Sequence, residues 1–183
     1  MSVQIALLRA VNVGGTAILP MADLRAAVEK AGFKEVRTFL QSGNLVFEAG
    51  PLAPAASEKK LEALCAKTFG LTGDVHVRTP KEFDAIIEAN PFAKEAASDP
   101  AFVHVLFLRE VPPAAAYAAL KAAIRGSEIV RAGGRHAYML YPNGMGRSKL
   151  TPAILARHLG MPGTARNWNT IRKLAALTSR PPT

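Results

Sequence analysis

The chain has 183 residues, 49% of them hydrophobic, and a formal net charge of +9. This composition can supply a folded core for one domain or two small ones. The single cysteine excludes an intrachain disulfide. No apolar run approaches the roughly 20 residues of a membrane-spanning helix, and the N-terminus shows no signal-peptide pattern. We therefore expect a cytoplasmic protein with no membrane partner.

The net charge is unevenly distributed along the chain. The first 128 residues hold all 14 acidic residues and 14 of the 23 basic ones, so their charges cancel. The whole excess therefore comes from nine cations beyond Glu128: Arg131, Arg135, Arg147, Lys149, Arg157, Arg166, Arg172, Lys173 and Arg180. Such asymmetry indicates an acidic partner. The alternative is a surface kept basic for solubility.

The first 79 residues follow the order strand, helix, strand, strand, helix, strand. The predicted elements are a strand over 3–8 that is buried on both faces, a helix over 20–31, strands over 34–40 and 44–47, a helix over 55–69 and a strand over 74–78. Ser42 and Gly43 form the turn of the central hairpin. This order is typical of the ferredoxin-like, split βαβ arrangement.

The remaining residues, 80–183, repeat much of this order. Thr79 and Glu82 form a capping box that begins a connecting helix, and a polar loop then runs to Pro100. Strands are predicted over 102–108, 127–131 and 136–141, with helices after Pro113 and over 152–159. Instead of a fourth strand, we expect this half to end in the 164–170 segment and a helix. The predicted fold class is α+β: two ferredoxin-like halves in tandem, 1–79 and 80–183, with a helical C-terminal segment.

This topology predicts a ligand site in the first half. The end of the first strand and the tip of the following hairpin share one edge of a split βαβ sheet. The residues that meet there are Arg9, Asn12, Gly14, Gly15, Gln41, Ser42 and Asn44. Backbone N–H groups beside glycines can hold an anion. The alternative is that Asn12 and Asn44 satisfy only their own turns.

The 164–170 segment is a second candidate. Asn167 is an expected N-cap, and Trp168 has the spacing of an inward-facing residue but could also contact a ligand. Arg166 would stand at a helix N-terminus, where its charge opposes the helix dipole. An anionic ligand or a distant carboxylate should therefore lie near it. We include Arg166, Asn167, Trp168 and Asn169 among the ligand-binding candidates.

No catalytic residue, cofactor or metal site is predicted. The four histidines lack metal-ligand spacing, and no nucleophile motif is present. The leading hypothesis is a protein that binds an anionic partner such as nucleic acid through its basic C-terminal third and a flat sheet face. The alternative is an enzyme or small-molecule binder that holds a phosphorylated or carboxylated ligand between the 9–15 and 41–44 loops and Arg166. A protein-interaction module is a third possibility.

Four blocks of the sequence resemble the bacterial family catalogued as domain of unknown function 1697. They span residues 6–15, 38–47, 148–151 and 164–170, and the candidates from Arg9 to Asn12, Gln41 to Asn44 and Arg166 to Asn169 fall within them. The resemblance implies an α+β fold of two ferredoxin-like halves. It does not point to any particular activity, because none is established for the family. The chain has Ala10-Val11 in place of Gly-Ile, Thr16 where the family often has Lys, and Pro152 where it often has Asn. The missing lysine weakens a phosphate-binding role for the first loop.

Overall fold

The computed structural model describes residues 2–13 and 18–178. The first part of the chain contains β1 (Val3–Leu8), α1 (Met21–Lys30), β2 (Lys34–Phe39), β3 (Asn44–Glu48), α2 (Pro54–Phe69) and β4 (Val75–Arg78). The second part contains α3 (Pro80–Glu88), α4 (Ala93–Ser98), β5 (Val103–Phe107), α5 (Ala114–Ala123), β6 (Ile129–Ala132), β7 (His136–Leu140), α6 (Pro152–Leu159), β8 (Thr164–Asn167) and α7 (Trp168–Thr178). Short 3₁₀ helices cover Pro100–Phe102 and Met145–Arg147.

The strands form two four-stranded sheets with the same order. The first sheet runs β2-β3-β1-β4 and the second runs β6-β7-β5-β8. Every neighbouring pair is antiparallel. Each sheet therefore has the strand order of a split βαβ unit, with its two helices in the connections. The predicted fold class, α+β with two ferredoxin-like halves and a helical C-terminal segment, is confirmed.

The contacts divide the described residues into two compact units. The first contains the residues up to Ala85 together with 173–178, and the second contains Ile86–Arg172. The division falls inside α3, whereas the sequence places the boundary after residue 79. None of the helices within residues 2–13 and 18–178 combines the length and hydropathy of a bilayer-spanning segment.

In the first unit, alternation along the strands places one row of side chains on the helices. Ala6 and Leu8 of β1 share a buried cluster with Leu24 of α1 and Leu61 of α2. Phe47 completes this layer and meets Phe33 edge-on at 4.8 Å between ring centroids. Cys65 is buried in the same cluster.

The second unit repeats this layer with different residues. Leu106 and Met139 of its sheet pack with Leu120 of α5 and Leu155 of α6 in one buried cluster. Thr151 is the N-cap of α6, and its side chain accepts a hydrogen bond from the N–H of Ile154.

The predicted capping box is confirmed, because Thr79 and Glu82 exchange side-chain and backbone hydrogen bonds at the start of α3.

The sheet faces opposite these helices are buried as well. Ile5 and Val46 are register partners on the opposite face of the first sheet, and each is at most 2% exposed. Val105 and Tyr138 occupy the equivalent face of the second sheet and are also at most 2% exposed. The prediction that the first strand is buried on both faces is confirmed. At these central positions neither sheet has the flat, open face that we expected for a nucleic-acid partner.

Two local predictions were wrong. The segment before Pro100 is not only a polar loop, because Ala93–Ser98 forms the one-and-a-half-turn helix α4. The proline and asparagine residues near its borders indicated a loop, so this short run of helix formers was not predicted as a helix. The second half also has a fourth strand, β8, which pairs with β5. Its sequence Thr-Ala-Arg-Asn shows no apolar alternation, so the strand is defined by pairing and not by a local pattern.

Candidate functional site

The two loops predicted to meet in the first unit do so through Asn12. Its Nδ2 donates hydrogen bonds to the carbonyl oxygens of Gln41, at 2.7 Å, and Leu19, at 2.9 Å. The N–H of Leu19 donates in turn to Asn12 Oδ1 at 2.7 Å. One amide side chain therefore closes the loop after β1 and ties it to the β2–β3 turn. The predicted residues Gly14 and Gly15 lie outside the described residues.

The β2–β3 turn is packed against the end of β1. Asn44 is fully buried, and its Nδ2 donates to the carbonyl oxygen of Phe39 at 2.7 Å and to Ser42 Oγ at 2.9 Å. Gly43 has φ +75°, and a Cβ at this position would lie 2.9 Å from the Cβ of Leu8. Glycine is therefore needed here for both backbone conformation and space. Gln41 is exposed and Ser42 is half-buried.

This edge of the first sheet also carries unusual backbone conformations. Ala10, Asn12 and Leu40 have φ values of 57°, 54° and 59°, in the left-handed region. Each such residue costs about 1 kcal/mol when it carries a Cβ. Leu40, Val13 and Ile18 are moreover among the few large hydrophobic side chains that are exposed. These features mark the edge as a candidate interaction site.

Arg9, the cation expected to bind a ligand here, faces a carboxylate. Its Nε lies 3.1 Å from Asp74 Oδ2, and about a third of each side chain is exposed. The two residues are 65 positions apart, so no local pattern connects them. A ligand at Arg9 would have to compete with Asp74 for the same guanidinium.

Arg166 lies on strand β8, directly before the N-cap of α7, so the segment that was expected to be only a helix start also contains a strand. It is the register partner of Val105 and is 6% exposed. Its Nη1 donates to Thr164 Oγ1 at 2.7 Å and to the carbonyl oxygen of Ala165 at 2.8 Å. Burial lowers the pKa of this guanidinium to about 10.

The residues that follow begin helix α7 as predicted. Asn167 Oδ1 accepts hydrogen bonds from the N–H and the hydroxyl of Thr170, both at 3.0 Å, so Asn167 is the N-cap. Trp168 faces inward and is 6% exposed, whereas Asn169 is exposed. Trp168 also lines a groove of about 250 Å³ within the second unit, together with Ile87 and Ala96.

The histidines have structural surroundings. His76 is fully buried on β4. His104 is 9% exposed, and its ring meets that of Tyr141 edge-on at 5.3 Å. Burial lowers the pKa of His104 to about 4, so the ring is neutral at pH 7. Residues 2–13 and 18–178 contain no group of three or more His, Cys, Asp or Glu side chains arranged to hold a metal.

A basic cleft that the sequence did not predict lies in the second unit. It has a volume of about 240 Å³ and is lined by residues 125–128, 141–144 and 147–149. Its three cations, Arg125, Arg147 and Lys149, are exposed. In the part of the chain that the structure describes, none of the three has a carboxylate within 4 Å. They are therefore available to an anion.

One carboxylate, Glu128, also lines the cleft. Its Oε1 accepts a short hydrogen bond from the hydroxyl of Ser148. Ser148 Oγ accepts in turn from the N–H of Leu150 at 3.0 Å. Burial, with a smaller contribution from Glu128, raises the pKa of Tyr141 to about 12, so its phenol stays protonated at neutral pH. The cleft thus combines three cations with one fixed anion.

Two neutral polar groups complete the wall. Asn143 Nδ2 donates to Ser127 Oγ at 3.3 Å. The sequence carried two signals for the cleft: the excess of cations beyond Glu128, which includes Arg147 and Lys149, and the block 148–151, which resembles the family but carried no assigned role. Arg125 was not predicted as a site residue, because it lies within the first 128 residues, whose charges cancel.

These observations define an α+β protein of two ferredoxin-like halves with a basic cleft in the second. The family model described as Protein of unknown function (DUF1697) matches residues 1–138, and the chain belongs to this family. No protein with a curated description matches it. The conserved bacterial protein SP0830 from Streptococcus pneumoniae is similar in structure, with a TM-score of 0.72 and 22% identity over 98% of this chain and 99% of that one. At this identity, the similarity shows a common fold.

Proposed function

We propose that the protein binds an anionic ligand, carrying a phosphate or carboxylate group, in the cleft of its second unit. The observation that carries the proposal is the set Arg125, Arg147 and Lys149. These three exposed cations surround one cleft, and none has a carboxylate of the described residues at salt-bridge distance. Guanidinium groups match the planar geometry of carboxylates and phosphates, and lysine adds a mobile point charge.

The shape of the site favours a small ligand. A cleft of about 240 Å³ lies just below the range of roughly 300–1,000 Å³ that is typical of small-molecule sites. Both faces of each sheet are buried at the positions described above, so no open sheet is available for stacking bases.

Nucleic acid is the second candidate, and the charge distribution favours it. The segment beyond Glu128 contains nine cations and no acidic residue. Phosphate-driven binding to such a surface would weaken steeply as salt rises. The expected interface would extend beyond the cleft to exposed cations such as Arg131 and Arg157.

The loops of the first unit support a ligand less well. Arg9 is paired with Asp74. Asn12 donates to backbone carbonyls of its own loop and of the β2–β3 turn, and Asn44 donates to the carbonyl of Phe39. An incoming ligand would have to replace these contacts. The cations of the cleft need no such exchange, which is why the proposal rests on them.

The test is calorimetric titration of the protein at low salt with inorganic phosphate and with a mixed-sequence single-stranded oligonucleotide. Replacing Lys149 by Ala should weaken phosphate binding about tenfold, because a hydrogen bond to a charged group contributes about 1.5–3 kcal/mol. Lys94→Ala is the matched control, since Lys94 is an exposed lysine of the same unit on α4, outside the cleft.

The possible outcomes separate the hypotheses. Saturable phosphate binding that falls in Lys149→Ala but not in Lys94→Ala supports the cleft. Oligonucleotide binding without phosphate binding, lost on adding salt, would favour the nucleic-acid hypothesis. Equal losses in the two variants would show that only net charge matters and would rule out the cleft as a specific site.

A further inference from the structure

Glu128 is the only acidic residue among the side chains that line the cleft. If the cleft served only to attract anions, a carboxylate in its wall would oppose that role, because like charges repel. Glu128 is nevertheless held in place by the Ser148 hydroxyl. Its position therefore needs a reason beyond simple attraction of negative charge.

The loop before Glu128 is shaped to accept its carboxylate. A Cβ at Gly126 would collide with Glu128 Oε2, and it would also lie 3.0 Å from Cδ. The absence of a side chain at position 126 thus lets the carboxylate fold back onto its own loop. Ser148 and Gly126 together hold the carboxylate on the wall of the cleft, on the side formed by residues 125–128.

The charges of the cleft match a dianion. Three cations and one carboxylate leave two positive charges, and a phosphate monoester carries about −1.5 to −2 at pH 7. A carboxylate fixed beside such a site can only accept hydrogen bonds, so its natural partner is a hydroxyl group of the ligand. The amide of Asn143 and the hydroxyl of Ser127 offer further neutral contacts in the same wall.

We propose that the cleft, if it binds anions as argued above, selects phosphate esters of polyols, with Glu128 accepting a hydrogen bond from a ligand hydroxyl. The cations bind the phosphate, and Glu128 distinguishes a hydroxylated ester from a plain alkyl phosphate. Glu128 is thus a specificity-determining residue.

The experiment compares glycerol 1-phosphate with propyl phosphate, which has the same carbon chain without hydroxyl groups, by calorimetry on the full chain. The wild-type protein should bind glycerol 1-phosphate at least about tenfold more tightly, as expected for a hydrogen bond to a charged acceptor. In Glu128→Gln this ratio should fall below about threefold, while propyl phosphate binds more tightly because a negative charge has been removed.

Gly126→Ala provides a second variant that keeps the charge. The added methyl group should displace the carboxylate, so selectivity falls, while propyl phosphate shows less gain than in Glu128→Gln. Unchanged melting temperatures would show that both variants are folded, and the wild-type ratio tests the proposal even if one variant does not fold.

The two proposals fail in different ways. Equal binding of the two esters by the wild-type protein would overturn the selectivity and leave anion binding intact. Absence of binding for both esters and for inorganic phosphate would overturn the proposed function itself. A wild-type preference that persists fully in Glu128→Gln would assign the selectivity to another residue and reject the role of Glu128.

Discussion

The two halves share one strand order, but they use their charged side chains differently. In the first half, Arg9, Arg25 and Arg78 each face a carboxylate, those of Asp74, Glu29 and Glu58. In the second half, the cleft cations Arg125, Arg147 and Lys149 have no carboxylate within salt-bridge distance among residues 2–13 and 18–178. A repeated topology therefore carries two kinds of chemistry. Function has to be argued from the sites and not from the fold.

The comparison also separates polar groups that stabilise the fold from those available to a ligand. Asn12 and Asn44 of the first half are bonded to backbone carbonyls, so their removal should affect stability. Removal of the exposed groups of the second-half cleft should weaken ligand binding and have little effect on stability.

The buried pair of the first half should give the largest effect. Arg78 Nη1 lies 3.6 Å from Glu58 Oε1, and the two side chains are 2% and 3% exposed. Glu58 Oε1 also accepts the N–H of Val77 at 2.9 Å. Glu58→Ala should lower the free energy of unfolding by about 3 kcal/mol or more, because a buried cation loses its carboxylate. Urea denaturation measures this change.

The exposed pair Arg25–Glu29, one turn apart on α1, is the control for that measurement. Its side chains are 57% and 43% exposed, and Glu29→Ala should cost less than about 0.5 kcal/mol. Similar losses in the two variants would contradict the argument, because they would show that burial adds nothing to the first pair.

His104 should make the second half sensitive to mild acid. Its pKa is about 4 in the folded protein and ordinarily 6.5, because burial disfavours the charged ring. Between these values the unfolded chain binds a proton that the folded chain does not. Stability should therefore fall as pH decreases from about 6.5 toward 4, by up to about 1.4 kcal/mol per unit.

The measurement is the melting temperature between pH 7.5 and 5, where carboxylates contribute less. His104→Phe keeps an aromatic ring opposite Tyr141 and removes the titrating group. The variant should show a shallower pH dependence than the wild-type protein. If the wild-type protein and the variant showed the same pH dependence, the pKa of His104 would not differ between the folded and unfolded states, contrary to what its burial indicates.

Much of the fold could be predicted because its determinants are local. The apolar run of residues 3–8, the glycine turn at Gly43 and the capping box at Thr79 each specify an element over a few residues. Strand β8 could not be predicted in this way. Its four residues become a strand only because β5 offers an unpaired edge.

The sites were harder to predict, for a related reason. Sequence reasoning brought Asn12 and the β2–β3 turn together correctly, because the strand order determines which loops meet. It could not foresee that Asp74 would pair with Arg9. The cleft depends on three separate segments brought together by the β6–β7 hairpin. A charge count along the chain could locate the basic region but not its concave part.

The smallest effect concerns a matched pair of asparagines, Asn12 in the first half and Asn143 in the second. Asn12 makes three hydrogen bonds that close its loop and tie it to Gln41, and its φ of 54° is poorly tolerated by alanine. Asn12→Ala should therefore lower the free energy of unfolding by about 1–2 kcal/mol. Asn143 is exposed and has a single 3.3 Å contact with Ser127, so Asn143→Ala should stay within about 0.5 kcal/mol. Chemical denaturation of both variants compares the two halves directly. If Asn143 were the more costly of the two, the cleft would be a structural element, and the division between a self-satisfied first half and an available second half would no longer hold.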